Sequence, residues 1–255
     1  DKFHGATGGL IEMIKTTYYA WIWKWKQGQK VAKKIETKVS IRDNLIKQND
    51  IKESVLTLGI QMNPMLVWDK QFEMMKDKLC RAMSKLRSAP ISVGNAYVFV
   101  NMYLITKVYF GTGVIAINKN QEEILKKISE PAILRKLGLS EKFPRRILHT
   151  KKSQLGVGIL QPSTIIAILS LKLYLGHKRS NDNIGKQIAI NELNTHFQYG
   201  HSKNVLEIEE ELKPQNKTWS DEIGSRLLNR NIVVINDKQE RCVNTKNKTI
   251  MDYAE

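Results

Sequence analysis

The sequence predicts an α+β protein, a short β-rich N-terminal part followed by a mainly α-helical body, and three observations carry that expectation. Apolar residues alternate at a period of two between 17 and 47, and they recur every three or four positions from Trp68 onward. Turn signals containing Gly, Pro and Asn then cut the remainder into helix-length pieces. Of the 255 residues, 42% are hydrophobic and 26% charged, the balance of a packed globular protein rather than a disordered one.

Taken in order, Trp21, Trp23 and Trp25 alternate with Ile22 and Lys24, and a Gln-Gly-Gln turn precedes further alternation. Alternate side chains of a strand lie on opposite faces, so this stretch predicts a β-hairpin or meander with three tryptophans on one face. Such a face either packs on a helical layer, the commoner use, or serves as a base-stacking platform. Left as an exposed edge, residues 17 to 31 are an aggregation hazard.

Trp68, Phe72, Met75, Leu79, Met83 and Leu86 then mark an amphipathic helix that ends near Arg87, before Pro90. Lys78, Arg81 and Lys85 fall at helical spacing away from that apolar stripe, so one face packs while another is available to phosphate. Further helices are expected near 92–107, 119–136, 162–178 and 182–198. They are separated by GTG at 111–113, KFPRR at 142–146 and SNDN at 180–183. Beyond about residue 200 the polarity rises through EIEEELKP at 207–214, followed by a helix and a strand-like IVVIND at 232–237. The resulting division is 1–64, 65–200 and a polar C-terminal extension, 201–255. No internal repeat is apparent.

Lys and Arg number 41 against 25 acidic residues, a formal charge of +16. Such a field draws in phosphate backbones before any specific contact forms, although a lysine-rich solvated surface has the same composition. Cys80 and Cys242 are the only cysteines, which leaves neither a disulfide framework nor a zinc site of repeated Cys pairs and suits a reducing, intracellular setting, cytoplasmic or nuclear. The five histidines, at 4, 149, 177, 196 and 201, lack metal-site spacing, so no metal site is expected in the chain. The opening stretch has no charged start followed by an apolar run, so no signal peptide is expected, and the chain reads as a piece of something longer. The most apolar windows, 96–118 and 159–176, are interrupted by Asn101, Lys107, Gln161 and Lys172, which argues against a membrane span.

Four landmarks follow one another in a consistent order. ATGGLIEMIKTTYYAWIWKW resembles the ATGGxLNxxKCFWYLxxWxW segment that follows the catalytic Tyr-x-Asp-Asp turn of retrotransposon reverse transcriptases, keeping Ala6, Thr7, Gly8, Gly9, Lys15, Tyr19, Trp23 and Trp25. LTLGIQMNPMLV is similar to that family's KTLGVxLxPDGN, keeping Thr57, Leu58, Gly59 and Pro64. FPRRILHTKKSQLGVGIL is similar to FPRAVVYGPxxxGGLGL, keeping Phe143, Pro144, Arg145, Gly156 and Gly158, and LYLGHKR resembles LLxHLR through His177 and Arg179. The departures fall at turn or polar positions: Glu12 for Asn, Met65-Leu66 for Asp-Gly, and Leu155 for the first glycine of Gly-Gly-Leu-Gly.

The resemblance implies the end of a polymerase palm with a hairpin that holds the primer terminus in 1–64, and a helical thumb and connection in 65–200. It implies a partner, an RNA or DNA template–primer duplex, and the missing N-terminal half of the polymerase, whose aspartates would hold Mg²⁺; the fragment alone would bind no metal and be inactive. Lys15 then lies near the departing pyrophosphate as the one catalytic candidate. Leu58 and Gly59 approach the primer end, and Lys78, Arg81, Lys85, Arg87, Arg145 and Arg146 are candidates for phosphate contact. The alternative is a non-enzymatic basic helical module derived from a decayed retroelement, which binds nucleic acid or protein without chemistry of its own.

Overall fold

In a computed structural model, the structure describes residues 16–27, 29–41, 44–180, 182–190, 219–228, 232–235, 241–244 and 248–249. The architecture mixes small sheets with a predominantly helical body, as expected for α+β. The chain divides into two compact units, Asp1–Gln71 and Phe72–Glu255.

The described part of the first unit is built from short strands. These are β1 (Thr17–Tyr18), β2 (Trp21–Lys26), β3 (Gln29–Lys34), β4 (Ser40–Ile41), β5 (Asn44–Leu45), β6 (Lys47–Gln48), β7 (Val55–Thr57) and β8 (Ile60–Met62). They pair as separate two-stranded ribbons, with β1 parallel to β6 and the rest antiparallel neighbours. Side chains tie the ribbons together where the short ladders cannot. Tyr19 Oη donates to Glu53 O at 2.8 Å, and Gln48 Nε2 donates to Ile35 O at 2.5 Å. The expected packing layer over the tryptophans is not what the structure has: every residue of β2 is exposed. Among the described residues β2 pairs with β3 alone, and a two-stranded ribbon supplies no second layer of its own.

The second unit holds most of α1 (Asp69–Ser88), the 20-residue amphipathic helix read from Trp68 onward. Asp69 in its first turn and Lys85 and Arg87 in its last oppose the backbone dipole favourably. Phe72, Met75, Leu79, Ala82, Met83 and Leu86 are all buried, so the predicted stripe is the packed one. The predicted 92–107 helix forms with an interruption: α2 (Val93–Val98) passes through a π-helical turn, Phe99–Tyr103, into α3 (Leu104–Lys107). Widening the helix there carries Asn101 to the segment 158–160, where Nδ2 donates to Gly158 O at 3.0 Å and Oδ1 accepts from Leu160 N at 3.1 Å.

Helix α4 (Lys119–Lys136) begins with a reciprocal cap. Asn118 Oδ1 accepts from Gln121 N and Gln121 Oε1 accepts from Asn118 N, satisfying two amides that a helix start leaves open. The short α5 (Arg145–His149) leads into a tight loop and then α6 (Pro162–Ser180), which packs on α4. The predicted helix at 182–198 is helical over 183–190 (α7), and its later residues lie outside those described. Ile188 of α7 and Ile223 and Leu227 of α8 (Trp219–Leu228) close over Tyr174 of α6 as one buried cluster. Strands β9 (Ile232–Ile235), β10 (Arg241–Asn244) and β11 (Lys248–Thr249) form an antiparallel sheet, the first of them within the expected IVVIND strand. Among the described residues no helix is long and apolar enough to cross a membrane.

Asp182 governs the turn between α6 and α7. Its Oδ1 accepts from Gly185 N at 2.7 Å, capping α7, and its Oδ2 lies 2.6 Å from His177 Nδ1 at the end of α6. The Gly185 amide first, then His177, hold the carboxyl down to about 2, against an ordinary value of roughly 3.9. A depressed carboxyl contributes stability that is full above its unfolded value and lost as pH falls through the folded one. The difference in helical thermal midpoint between the native chain and Asp182→Asn should therefore be full above about pH 4 and close towards about pH 2; circular dichroism melts across that window measure it.

Candidate nucleic-acid interface

The basic residues of α1 do not act as one group. At ~100° per residue, Lys78, Arg81 and Lys85 fall within roughly 60° of one another on one flank of the apolar stripe. Arg81 and Lys85 are exposed, Lys78 is half-buried, and Arg81 Nε donates to Asp77 O at 3.4 Å along the helix. The three therefore form a cofacial cationic strip about two turns long. Arg87 is exposed as well, but the same geometry turns it roughly 120–180° away from the other three, beyond the reach of a phosphate row they could share.

Arg145 and Arg146 separate in a different way. Arg145 Nε binds Glu130 Oε2 at 2.7 Å, and its terminal nitrogens donate to Phe143 O at 2.7 Å and Glu141 O at 3.0 Å. These bonds occupy its guanidinium in holding the chain. Arg146, its neighbour, is exposed. Lys15 lies outside the described residues.

Leu58 and Gly59 form the two-residue tip of the β7–β8 hairpin, where Thr57 pairs with Ile60. Both have left-handed backbone, φ 50° and 86°, as a tight turn of the hairpin-favoured kind requires. Gly59 adopts this freely, whereas Leu58 does so with its side chain 89% exposed, so an apolar group is held out on a conformation that disfavours it. Asn63 shapes the next turn. Its Oδ1 accepts from Met65 N at 3.0 Å and Val67 N at 3.2 Å, and its Nδ2 donates to Val67 O and Ser54 Oγ at 3.1 Å each. That set of bonds holds Leu66 left-handed at φ 53°, 61% exposed. The role of Asn63 was not legible in advance, since a lone Asn between strand and proline is an ordinary turn residue.

The loop after α5 repeats the arrangement. Leu155 is left-handed at φ 60° and 94% exposed, while Gly156 N donates to Lys151 O and Gly158 N to Thr150 O. A Cβ on Gly156 would lie 2.0 Å from Thr150 O, so the two strands of the loop meet only because that side chain is missing. Lys152 Nζ sits 3.7 Å above the Tyr97 ring, and Tyr97 Oη donates to Gly158 O at 3.1 Å.

An open groove of about 420 Å³ runs along α6, lined by Leu169, Lys172, Leu173, His177, Ser180 and Asp182 among others, and the Ser180 hydroxyl is turned to the helix end, donating to His177 O at 3.1 Å. Among the described residues no three His, Cys, Asp or Glu side chains converge as metal ligands. No protein-family model matches the chain, and neither a curated protein nor a solved structure matches it.

The left-handed leucines give a direct test of the backbone. Each costs roughly 1–2 kcal/mol relative to a right-handed residue, and glycine removes that cost at an entropic penalty of about 0.5–1 kcal/mol. Leu66→Gly and Leu155→Gly should each raise stability by roughly 0.5 kcal/mol, and Gly156→Ala should lower it by about 1–3 kcal/mol. Denaturant melts of the three variants measure this, and a destabilising Leu155→Gly would show that the leucine side chain contributes more than its left-handed backbone costs.

Proposed function

We propose that the chain is part of a retroelement RNA-directed DNA polymerase, comprising the end of the palm and the helical thumb and connection, and that it grips template–primer duplex. One observation carries this reading beyond the ordered motifs themselves. At the two positions where the resembled pattern has glycine and this chain has leucine, Leu66 and Leu155, the backbone is left-handed, the conformation that makes glycine the usual choice. Leu58 and Gly59, the pair assigned to the primer end, sit at a strained and fully projecting hairpin tip, the kind of place where strain serves a contact.

In this reading Lys78, Arg81 and Lys85 make phosphate contacts that position the duplex without reading sequence, and Arg146 adds a further contact. Arg145 holds the loop instead, and Arg87 stands apart from the strip. The described residues supply no donor set for Mg²⁺, so no chemical step is assigned to them; carboxylates and Lys15 would act only within the joined polymerase. Leucine in two strained turns also favours a diverged copy over one kept under close selection. That supports the second reading, a binding module without chemistry.

Duplex affinity should fall steeply with salt, and replacing Lys78, Arg81 and Lys85 together by alanine should lower the slope of log K against log salt by about 0.9 for each phosphate that these side chains neutralise. Arg87→Ala should leave the slope unchanged. Binding that ignores salt, or a slope untouched by the triple variant, overturns the duplex grip. Joining the upstream coding sequence and assaying primer extension then separates polymerase from inert module.

A further inference from the structure

The β2–β3 hairpin carries an aromatic row for which the proposed duplex grip has no use. Trp21, Trp23 and Trp25 occupy every second position of β2 and so share one face of the ribbon. Their exposure climbs along the strand, from 37% through 51% to 76%. Indoles are the largest apolar groups a chain can bury, so three in a row left in contact with water mark a surface for binding.

Spacing and charge indicate what binds. Same-face residues on an antiparallel strand stand about 6.8 Å apart, twice the rise of about 3.4 Å. That is also twice the rise of about 3.4 Å between successive bases in a nucleic-acid strand, so one flat base fits between neighbouring indoles. Lys24 and Lys26 alternate with the tryptophans along β2, and Lys33 lies across the ribbon from Ile22; all three are exposed. The three lie on the face opposite the tryptophans, on a ribbon that among the described residues is only two strands wide with both edges open, and their charge favours an anionic partner over a purely apolar one. Lys34, opposite Trp21, is paired with Glu36 at 3.2 Å and adds little net charge.

We propose that the tryptophan face of the β2–β3 hairpin is a stacking platform for single-stranded nucleic acid, with unpaired bases against Trp21, Trp23 and Trp25 and the strand attracted to the ribbon by the charge of Lys24, Lys26 and Lys33 behind it. The site is independent of the polymerase reading, because it rests on the exposure and charge of one ribbon and not on what the motif that includes Trp23 and Trp25 implies.

Three probes test it on the full chain by fluorescence anisotropy: a short oligothymidylate, an abasic strand of the same length and charge, and a blunt duplex. The oligothymidylate should bind about 10-fold or more tighter than the abasic strand, because stacking requires bases. Trp25→Ala should weaken oligothymidylate binding on the order of 10-fold, leave the abasic strand and the duplex unchanged, and keep the native circular dichroism. Trp25→Phe should retain most of the affinity. Equal binding of the abasic strand, or an unaffected Trp25→Ala, overturns the platform. So does a self-associated species in sedimentation that Trp25→Ala dissolves without changing oligonucleotide binding, since the face would then belong to a second copy. A failed duplex grip shows instead in the Lys78, Arg81 and Lys85 variant, which this experiment does not use.

Discussion

The middle of the second unit hangs on one buried carboxylate. Glu130, on α4, has a side chain 9% exposed and uses both oxygens, one for Arg145 Nε at 2.7 Å and one for His149 Nε2 at 3.1 Å. His149 Nδ1 in turn lies 2.8 Å from Ile159 O. The first and last residues of the short helix α5 are thereby pinned to α4, and its last residue also to the exit of the next loop. A carboxylate so placed is costly to desolvate, and its value depends on every partner being present; losing one leaves a buried charge that costs about 3–5 kcal/mol. The course of residues 141–160 follows from that requirement, and with it the place of Gly158 O, where Tyr97 and Asn101 converge.

This requirement also explains the division of labour among the arginines. Arg145 and Arg146 are adjacent, and in sequence each is as good a phosphate ligand as the other. In the fold, one helical step of about 100° sends one guanidinium inward to a carboxylate and two carbonyls and leaves the other in solvent. The three phosphate candidates on α1 are separated from Arg87 by the same kind of arithmetic, because a helix that continues through its last basic residue rotates it off the strip.

The helices were legible in the sequence because their signals are local. The period of Phe72, Met75, Leu79, Met83 and Leu86 gives α1 to within a residue or two, and the helix expected at 119–136 is α4. The alternation of Trp21 to Trp25 likewise gives β2. What could not be read were relations between distant residues. Glu130 meets Arg145 across a loop, and nothing in either neighbourhood announces it. The π-helical turn at Phe99–Tyr103 and the left-handed turn at Leu66 depend on partners elsewhere or on a side-chain bond pattern that many sequences share. The tryptophan face was legible as a face, but what lies over it is a tertiary fact that alternation cannot carry.

The loop from 150 to 158 shows how little side-chain exposure says about backbone accessibility. Leu155 is 94% exposed, yet five successive amides, from Gln154 to Gly158, each donate to a carbonyl of residues 147–152. Hydrogen exchange at those amides waits on opening of the loop, whose flanks are held by Glu130 through Arg145 and His149 and by Tyr97 and Asn101 on Gly158 O. A segment that carries the most exposed large hydrophobic side chain among the described residues therefore has its amides closed to solvent by carbonyls just upstream in the chain.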